Sequence, residues 1–564
     1  MKKTIAKLWD AVYRRLPELL LACFLLSLTP LVYLLGRSLY RQLAILSESP
    51  GEWLRGIEAA PWTSLAVLLC VLGIGFVLYI TLRNWGAVWA VSRKMVMEAV
   101  HRKLVIVLLL FFLVLMPSLP FILKTEGSLK SQVQLVLLYS LCLGLVLLSL
   151  VAIFLTTASI CTEVEERNVH VTDTKPLRRW QFLYGKWLGV VVLCTATLVV
   201  MTAATYGLVQ LLLRAPDYSK MSPEEKARAL KERRQLTEEV FVARRSVQPP
   251  MPEWTEEMEE RTRKWLAEQK IDAAVHSFRR SLLEEKWRRQ QTAIPQEGKR
   301  QVVWRFSGLD PDQEGPVQVR FKAFAGGAPT IIGRFTPCNA RRQKAEEGEG
   351  GRSRLVVRQA GVPVYSPPAG WTRNDFHEFS LPGKVVAEDG TLYLVFESLA
   401  PRGSVTFDIK NPIELLQKEE GFQLNYYRSL LVLMMHVALL AALGLMAGSL
   451  FSFPVASLVV FSLFVGGLLA SWFHAHFVEP DIYARLNPVT VHLERLWRVF
   501  AGSIVALMPD FGRFNPLGDL VNGRIVGMDR VSRAGAVLLF LRGGVAMLIG
   551  MYFYARRELA RIIV

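Results

Sequence analysis

Residue types that could do chemistry are few in this chain, and they are scattered. His474 and His476 form an HxH beside Trp472, and Asp375, His377 and Glu378 cluster in WTRNDFHE, residues 371–378. A zinc centre or a serine hydrolase would bring HExxH, CxxC or GxSxG spacing, which sets ligands or a nucleophile on one face, and no such motif accompanies these residues. The alternating histidines read as polar residues at a membrane edge, and the second cluster reads as a loop before a strand. Gly185-Lys186 lies beside an apolar run but is followed by Trp187. No GxxxxGK[ST] phosphate loop is present, so the chain is not expected to bind and hydrolyse ATP itself. Of six cysteines, Cys23, Cys70, Cys142 and Cys194 sit in apolar runs, Cys161 at the edge of one, and Cys338 alone in polar sequence. That arrangement implies neither a disulfide framework nor a thiolate metal site.

The elements that would carry these residues are apolar. The chain has 564 residues, is 52% hydrophobic and has a mean hydropathy of +0.28, which is too apolar for a soluble protein of this length. A bilayer core of about 30 Å needs about 20 apolar residues in helical form. Eight stretches qualify: approximately 16–36, 62–82, 104–123, 133–157, 187–213, 429–451, 455–477 and 534–554. The formal charge of +18 would suggest nucleic acid in a soluble protein. Here Lys and Arg flank the apolar stretches, so a nucleic-acid partner is not expected. Lys2, Lys3, Lys7, Arg14 and Arg15 precede the first stretch, and basic clusters at 83–103 and 167–186 follow the second and fourth. With eight spans all of these fall on the cytoplasmic face, together with Arg556, Arg557 and Arg561, and both termini lie inside. The basic, amphipathic N-terminal segment runs into its apolar stretch without a small-residue cleavage motif, so it reads as an uncleaved first span.

The expected fold is therefore an α-helical polytopic membrane protein with about 8 transmembrane helices and an inserted extracytoplasmic α+β domain. Five segments follow: 1–83, an N-terminal pair of spans; 84–213, the first part of the helical core; 214–300, an external helical segment; 301–425, an external β-sandwich or jelly roll; and 426–564, the second part of the core. Within 214–300, SPEEKARALKERR opens with Ser222 as N-cap, Pro223 at the first helical position and Glu225 three residues on. QPPMPEW then breaks the chain before a second helix. Beyond Gln301 short alternating runs, VVWRF, VQVRFKAF, RLVVRQ, LYLVF and SVTFDI, are bounded by turn residues. A structural cap is favoured over a carbohydrate-binding role for this domain, since a fold alone specifies no site. Residues 491–507 read as an amphipathic interfacial helix.

The segment between the fourth and fifth stretches, TTASICTEVEERNVHVTDTKPLRRWQFLYGKWLG at 156–189, is the most informative. Its order resembles the signature of type-2 ABC exporter permeases: an acidic stretch closing one span, a short helix, a Pro with a basic pair, and Gly-Lys opening the next span. The matching positions are Glu163, Glu165, Glu166 and Arg167, then Lys175, Pro176, Arg178 and Arg179, then Gly185 and Lys186. WAVSRKMVMEAVHRKL at 89–104 resembles the amphipathic helix preceding the first core span of that class, with Glu98 and Arg102 spaced for an i,i+4 pair. LMPDFGRFNPLGDLVNGRIV at 507–526 and the closing YARRE resemble its external re-entrant stretch and terminal motif. The resemblance implies a coupling helix docked on a separate ABC ATPase subunit, which would bind ATP and Mg while this chain holds no cofactor. It also implies a dimer with a second permease copy or a related chain, in contact with membrane lipid, in a bacterial inner membrane. Two further N-terminal spans and the large insertion depart from the usual six-span plan. Charge alone would also account for the segment as an anchor of two spans. The coupling reading expects Glu163, Glu165, Arg178 and Arg179 to be exposed to water in the isolated chain, so that they serve linkage to the ATPase and not folding. Arg542, inside the last stretch, marks a translocation pathway, a dimer seam or a snorkelling cation. The alternative to a permease is a membrane-anchored external binding or scaffold protein.

Overall fold

The computed structural model describes residues 15–27, 29–30, 83–122, 129–165, 178–213, 222–250, 256–268, 283–284, 287, 293–294, 301–312, 315–326, 330–339, 358–359, 370–399, 404–407, 413–474, 497, 499–505 and 508–559. They belong to two compact units, Met1–Phe241 with Phe422–Ala475 and Gly502–Val564, and Val242–Gly421 with His476–Ala501.

The first unit is helical. Its principal helices are α1 (Trp85–His101), α2 (Leu104–Leu115), α3 (Leu129–Glu165), α4 (Arg179–Leu212) and α5 (Pro223–Glu239). After α6 (Glu256–Glu268), which lies in the second unit, come α7 (Phe422–Leu450), α8 (Phe453–Phe473), α9 (Leu517–Val521), α10 (Met528–Ala534) and α11 (Gly544–Leu559). A π-helical stretch, Gly535–Gly543, joins the last two into one run. Among the described residues five helices are long and apolar enough to cross a membrane: α3, α4, α7, α8 and Met528–Arg556. A sixth is added if α1 and the helix following it, bent by 58°, are one broken span. The chain is thus a multi-pass membrane protein. Of the two expected N-terminal spans, residues 15–27 are helical, while 62–82 lies outside the described residues.

Small residues let the helices approach closely. In α4 a Cβ on Gly185 would lie 2.7 Å from Cβ of Val91, and one on Gly189 would lie 2.8 Å from the carbonyl of Ser92, both in α1. In α7 a Cβ on Gly444 would lie 1.9 Å from Oγ1 of Thr156, and one on Gly448 3.1 Å from Cβ of Ile160, both in α3. Each pair is a GxxxG, the spacing that sets two glycines on one helix face and brings backbones into contact where lipid supplies no hydrophobic drive for association. α5, expected in the external segment, belongs to the helical unit. Leu236 and Val240 pack with Val133 and Val209, Glu239 pairs with Lys130, and Arg233 caps the carbonyl of Leu213.

The second unit is built on antiparallel sheets. One joins β1 (Val242–Val247), β12 (Ile413–Gly421), β4 (Val317–Gly326), β11 (Ser404–Phe407) and β2 (Ala293–Ile294), with β9 (Phe376–Leu381) also on β4. The other joins β3 (Gln301–Phe306), β10 (Leu392–Ser398), β6 (Gly333–Asn339) and β7 (Arg358–Gln359), and β5 (Thr330–Ile331) pairs β8 (Trp371–Thr372). Strand alternation sends Leu392, Leu394 and Phe396 inward. Phe321 of the first sheet meets Phe335 of the second at 4.8 Å, and Phe407 meets Phe396 at 5.1 Å. The β-domain is larger than expected: β1 falls in a segment read as helical, because Arg244 and Arg245 break the apolar alternation, yet Arg244 is buried. α7 begins at Phe422, directly after β12, rather than near 429.

Replacing Gly444 by Ala in an open helix would gain about 1 kcal/mol of propensity. Against Thr156 the same change overpacks the α3–α7 contact, which costs about 1–3 kcal/mol. Thermal unfolding in detergent should therefore show G444A less stable than the parent and G444A/T156A recovering most of the loss; a G444A chain as stable as the parent would refute the close packing.

Candidate functional site

Three helices converge where α3 ends and α4 begins. Lys186, in the first turns of α4, is 3% exposed. Its Nζ lies 2.7 Å from Oε2 of Glu163 and donates to the carbonyl and Oγ of Ser159 at 2.8 and 2.7 Å. An ammonium has three donors; this one makes two hydrogen bonds to Ser159 and an ion pair with Glu163, all on the last turns of α3. Ser159 and Glu163 are four residues apart, so they share a helix face. Lys94 of α1 reaches Glu163 Oε1 at 3.5 Å. Ser92 Oγ donates to the carbonyl of Gly185 at 2.8 Å, which stitches α1 to α4 one residue from the lysine.

The start of α4 is fixed from both sides. The backbone N–H of Arg178 donates to Oε1 of Gln181 at 3.0 Å, and Nε2 of Gln181 donates to Oδ1 of Asn84, the residue before α1, at 2.9 Å. Arg179 Nη1 donates to the carbonyl of Ala555 at 3.1 Å, and Phe182 stacks on Tyr554 at 5.9 Å. The sequence segment at 156–189 and the YARRE ending are therefore neighbours in space.

The site differs from expectation at one charge. Arg178 and Arg179 are exposed, but Glu163 is not a water-exposed carboxylate: its side chain is 13% exposed and held by Lys186. The cause is the close approach of α3 and α4, which sets the Glu163 carboxylate against the buried ammonium. Glu165 is the last residue of α3; its side chain lies outside the described residues, as do Glu166, Arg167, Lys175 and Pro176. Sequence reasoning missed Ser159, Ser92, Gln181 and Asn84. The signal for Ser159 was its i,i+4 spacing from Glu163, and the signal for Ser92 was the GxxxG formed by Gly185 and Gly189, which lies against α1.

A second polar assembly lies on 508–527. Asn425 grips it bidentately, donating to the carbonyl of Arg524 and accepting from the N–H of Val526, both at 2.7 Å. Gln134 donates to the carbonyl of Val521 at 3.0 Å, and α9 buries Leu517 and Leu520 beside Leu137 and Leu433. The N–H of Phe511 donates to the carbonyl of Gly467 at 3.2 Å, and its ring meets buried His436 edge-on at 5.0 Å. Contacts with α7 thus run from Asn425 to His436, about 16 Å of helix rise. Arg542 Nη1 donates to the carbonyl of Met508 at 2.6 Å, so it braces this segment. The amphipathic helix expected at 491–507 is described only in part, as helix at 497 and 499–505.

Among the described residues the two sets first singled out are not assembled into one constellation. His377 and Glu378 are adjacent in β9 and point to opposite faces. His377 Nε2 lies 2.8 Å from the carbonyl of Thr372, while Glu378 pairs with Arg320 at 3.5 Å. Asn374, at φ +67°, makes the turn before them. His474 ends α8, and His476 lies outside the described residues. Burial pushes the Cys338 thiol up, away from thiolate chemistry. Among the described residues no group of His, Cys, Asp and Glu could hold a metal ion.

Residues 89–222 match a family described as ABC-2 family transporter protein. The matched stretch carries most of α1 and all of α2 to α4, including the Lys186 junction. No curated protein and no solved structure matches the chain.

Removing one partner of a buried ion pair costs about 3–5 kcal/mol, whereas replacing both by uncharged groups is often close to neutral. Lys186→Met should therefore lower thermal stability strongly, and K186M/E163Q should regain most of it. Equal losses in the single and double variants would show that the two groups are not paired.

Proposed function

We propose, from a match that supports an ABC-2 type permease, that this chain is the membrane-spanning subunit of an ABC exporter driven by a separate ATPase subunit. In this reading 163–186 is the coupling elbow, and the ATPase binds the ATP and Mg. The observation that carries it is the Lys186 junction. A loop that only anchored two spans would need basic residues and nothing more. Here the two helix ends flanking the loop are bound to each other, to α1 and to the last helix, so a displacement applied to the loop is passed to four helices instead of being absorbed at one. That is how a closing partner would reach the membrane part.

The remaining roles follow from this arrangement. The charged end of the bundle and both termini face the cytoplasm, and 214–425 lies outside it. A second copy or a related permease completes the dimer in a bacterial inner membrane. The segment at 508–527, braced by Arg542 and gripped by Asn425, stands at the external end of the route. The scaffold alternative gives the Lys186 junction no task, since spans that merely hold an external domain need no braced loop.

The test must separate coupling from folding. Glu163 is unsuitable because its reversal would set like charge against Lys186 and Lys94. Glu165→Lys with Glu166→Lys is the better variant. In this reading both carboxylates face water in the isolated chain, where an exposed charge contributes only about 0–1 kcal/mol to stability, whereas like charges across a docked interface cost several kcal/mol. The double reversal should leave abundance and membrane insertion unchanged while copurification with the partner ATPase subunit, and vanadate-sensitive ATP hydrolysis by the complex, are lost. Full ATPase recruitment by the variant, or ATP hydrolysis by this chain alone, would refute the reading.

A further inference from the structure

The last run carries more residues than the helix beside it. α7 and the run Met528–Arg556 meet at three levels. Oδ1 of Asn425 accepts the N–H of Val526 at 2.7 Å, just ahead of the run. A Cβ on Gly543 would lie 4.0 Å from Cδ1 of Leu439, and one on Gly550 would lie 3.2 Å from Cα of Met446. Between the last two levels the helices keep pace, seven residues in each (439 to 446, 543 to 550). Between the first two, α7 takes 14 residues (425 to 439) and the last run takes 17 (526 to 543). Three extra residues amount to about 4.5 Å of α-helical rise. They fall where the chain is π-helical, Gly535–Gly543. A π-helix, bonded i→i+5, is wound wider than an α-helix and so is shorter for its residue count. Such stretches are rare, mostly a single turn, and frequent at functional sites; this one is nine residues long.

We propose that this π-helical stretch is a two-register latch on the segment at 508–527. In the register seen here the surplus is wound into the stretch, and Arg542, next to its last residue, donates to the carbonyl of Met508 at 2.6 Å. Rewound as α-helix, the stretch would carry Arg542 along α7 by up to about 4.5 Å and turn it by about 100° for each residue taken up. A hydrogen bond cannot follow that movement, so 508–527 would lose its brace from the last run. Gly543 is the position most sensitive to the choice. A Cβ there would lie 3.0 Å from the carbonyl of Leu538, five residues back at the π-helical spacing, whereas one on Gly544 would lie 4.0 Å from that of Leu539. Beyond the stretch the run is clamped again, by Phe182 on Tyr554 and Arg179 on the carbonyl of Ala555. What draws on the latch during transport is that clamp, and this step alone rests on the coupling reading; the two registers do not.

The test uses the full chain in detergent without the ATPase, and reads hydrogen exchange by mass spectrometry at the peptide covering Phe511, whose N–H donates to the carbonyl of Gly467. Gly543→Ala sets a methyl against the Leu538 carbonyl and favours the α register. Gly544→Ala adds the same methyl and the same helix propensity where there is room for it, and Arg542→Met removes the brace directly. G543A and R542M should each speed exchange at Phe511 at least about fivefold, the share of one ordinary hydrogen bond, while G544A leaves it unchanged. Deleting Leu541, exposed within the stretch, should still give a folded, monodisperse protein, because the stretch can give up a residue. Deleting Leu458, exposed on α8, should not, because a helix without surplus carries the error in register into its contacts. The deletion pair keeps the test decisive if G543A fails to fold. Unchanged exchange in a folded G543A, an equal rise in G544A, or no rise in R542M would overturn the latch. So would loss of the fold on deleting Leu541.

Discussion

A buried ammonium needs acceptors and a counter-ion close by, and the Lys186 ammonium takes both its hydrogen bonds, to Ser159, and its nearest counter-ion, Glu163, from α3. Taking such a charge out of water costs several kcal/mol, which is recovered only when geometry and hydrogen bonds are nearly complete. The α3 and α4 helices must therefore keep one relative rotation and one relative height at this point. Their length makes the arrangement feasible. At about 1.5 Å per residue α3 is about 55 Å long, well beyond the roughly 30 Å of hydrocarbon it has to cross. The apolar run ends near Thr157, so Ser159 and Glu163 lie past it, and Lys186 immediately precedes the apolar run of α4. The ion pair thus sits at the boundary, shielded by protein rather than by lipid.

The glycine contacts act on the same helices by a different means. Gly185 and Gly189 draw α1 onto α4, and Gly444 and Gly448 draw α7 onto α3. Polar bonds fix register, and backbone contact fixes distance. Together they make α1, α3, α4 and α7 one packed body at its charged end, with Tyr554 and Ala555 of the last helix joined to it. The segment at 508–527 is held differently, by side chains that grip its backbone: Asn425 from α7, Gln134 from α3 and Arg542 from the last run. Such bonds stabilise a segment with few backbone partners of its own, since unpaired peptide groups are costly inside a bundle.

Apolar runs of about 20 residues were legible because lipid admits few alternatives to a helix, and α3, α4, α7, α8 and the last run all lie where their runs predicted. Strands β3, β4, β10 and β11 were legible from alternation. β1 was not: Arg244 is buried and Arg245 follows it, so the strand reads as a continuation of the charged helix before it. The residues of the junction were named from their order along the chain, yet their pairing was hidden. Glu163 and Lys186 are separated by the whole charged loop, and only closure of the α3–α4 hairpin shows that one carboxylate belongs to the interior. Arg542 looked like an unpaired intramembrane cation because its acceptor, the carbonyl of Met508, comes from a segment that no local pattern places beside it.

Rigidity of the α1–α4 pair through the transport cycle is what the coupling reading most needs, and it is directly measurable. Spin labels at Ala90 on α1 and Ala203 on α4, both exposed, report the separation of the two helices by pulsed electron–electron double resonance. The measurement is made on the permease assembled with its ATPase, without nucleotide and after trapping with ADP and vanadate. A narrow distance distribution that stays in place between the two states is predicted, because the pair should move as one body. A broad distribution, or a shift of several ångströms on trapping, would contradict a braced elbow and with it the route proposed from the loop into the membrane.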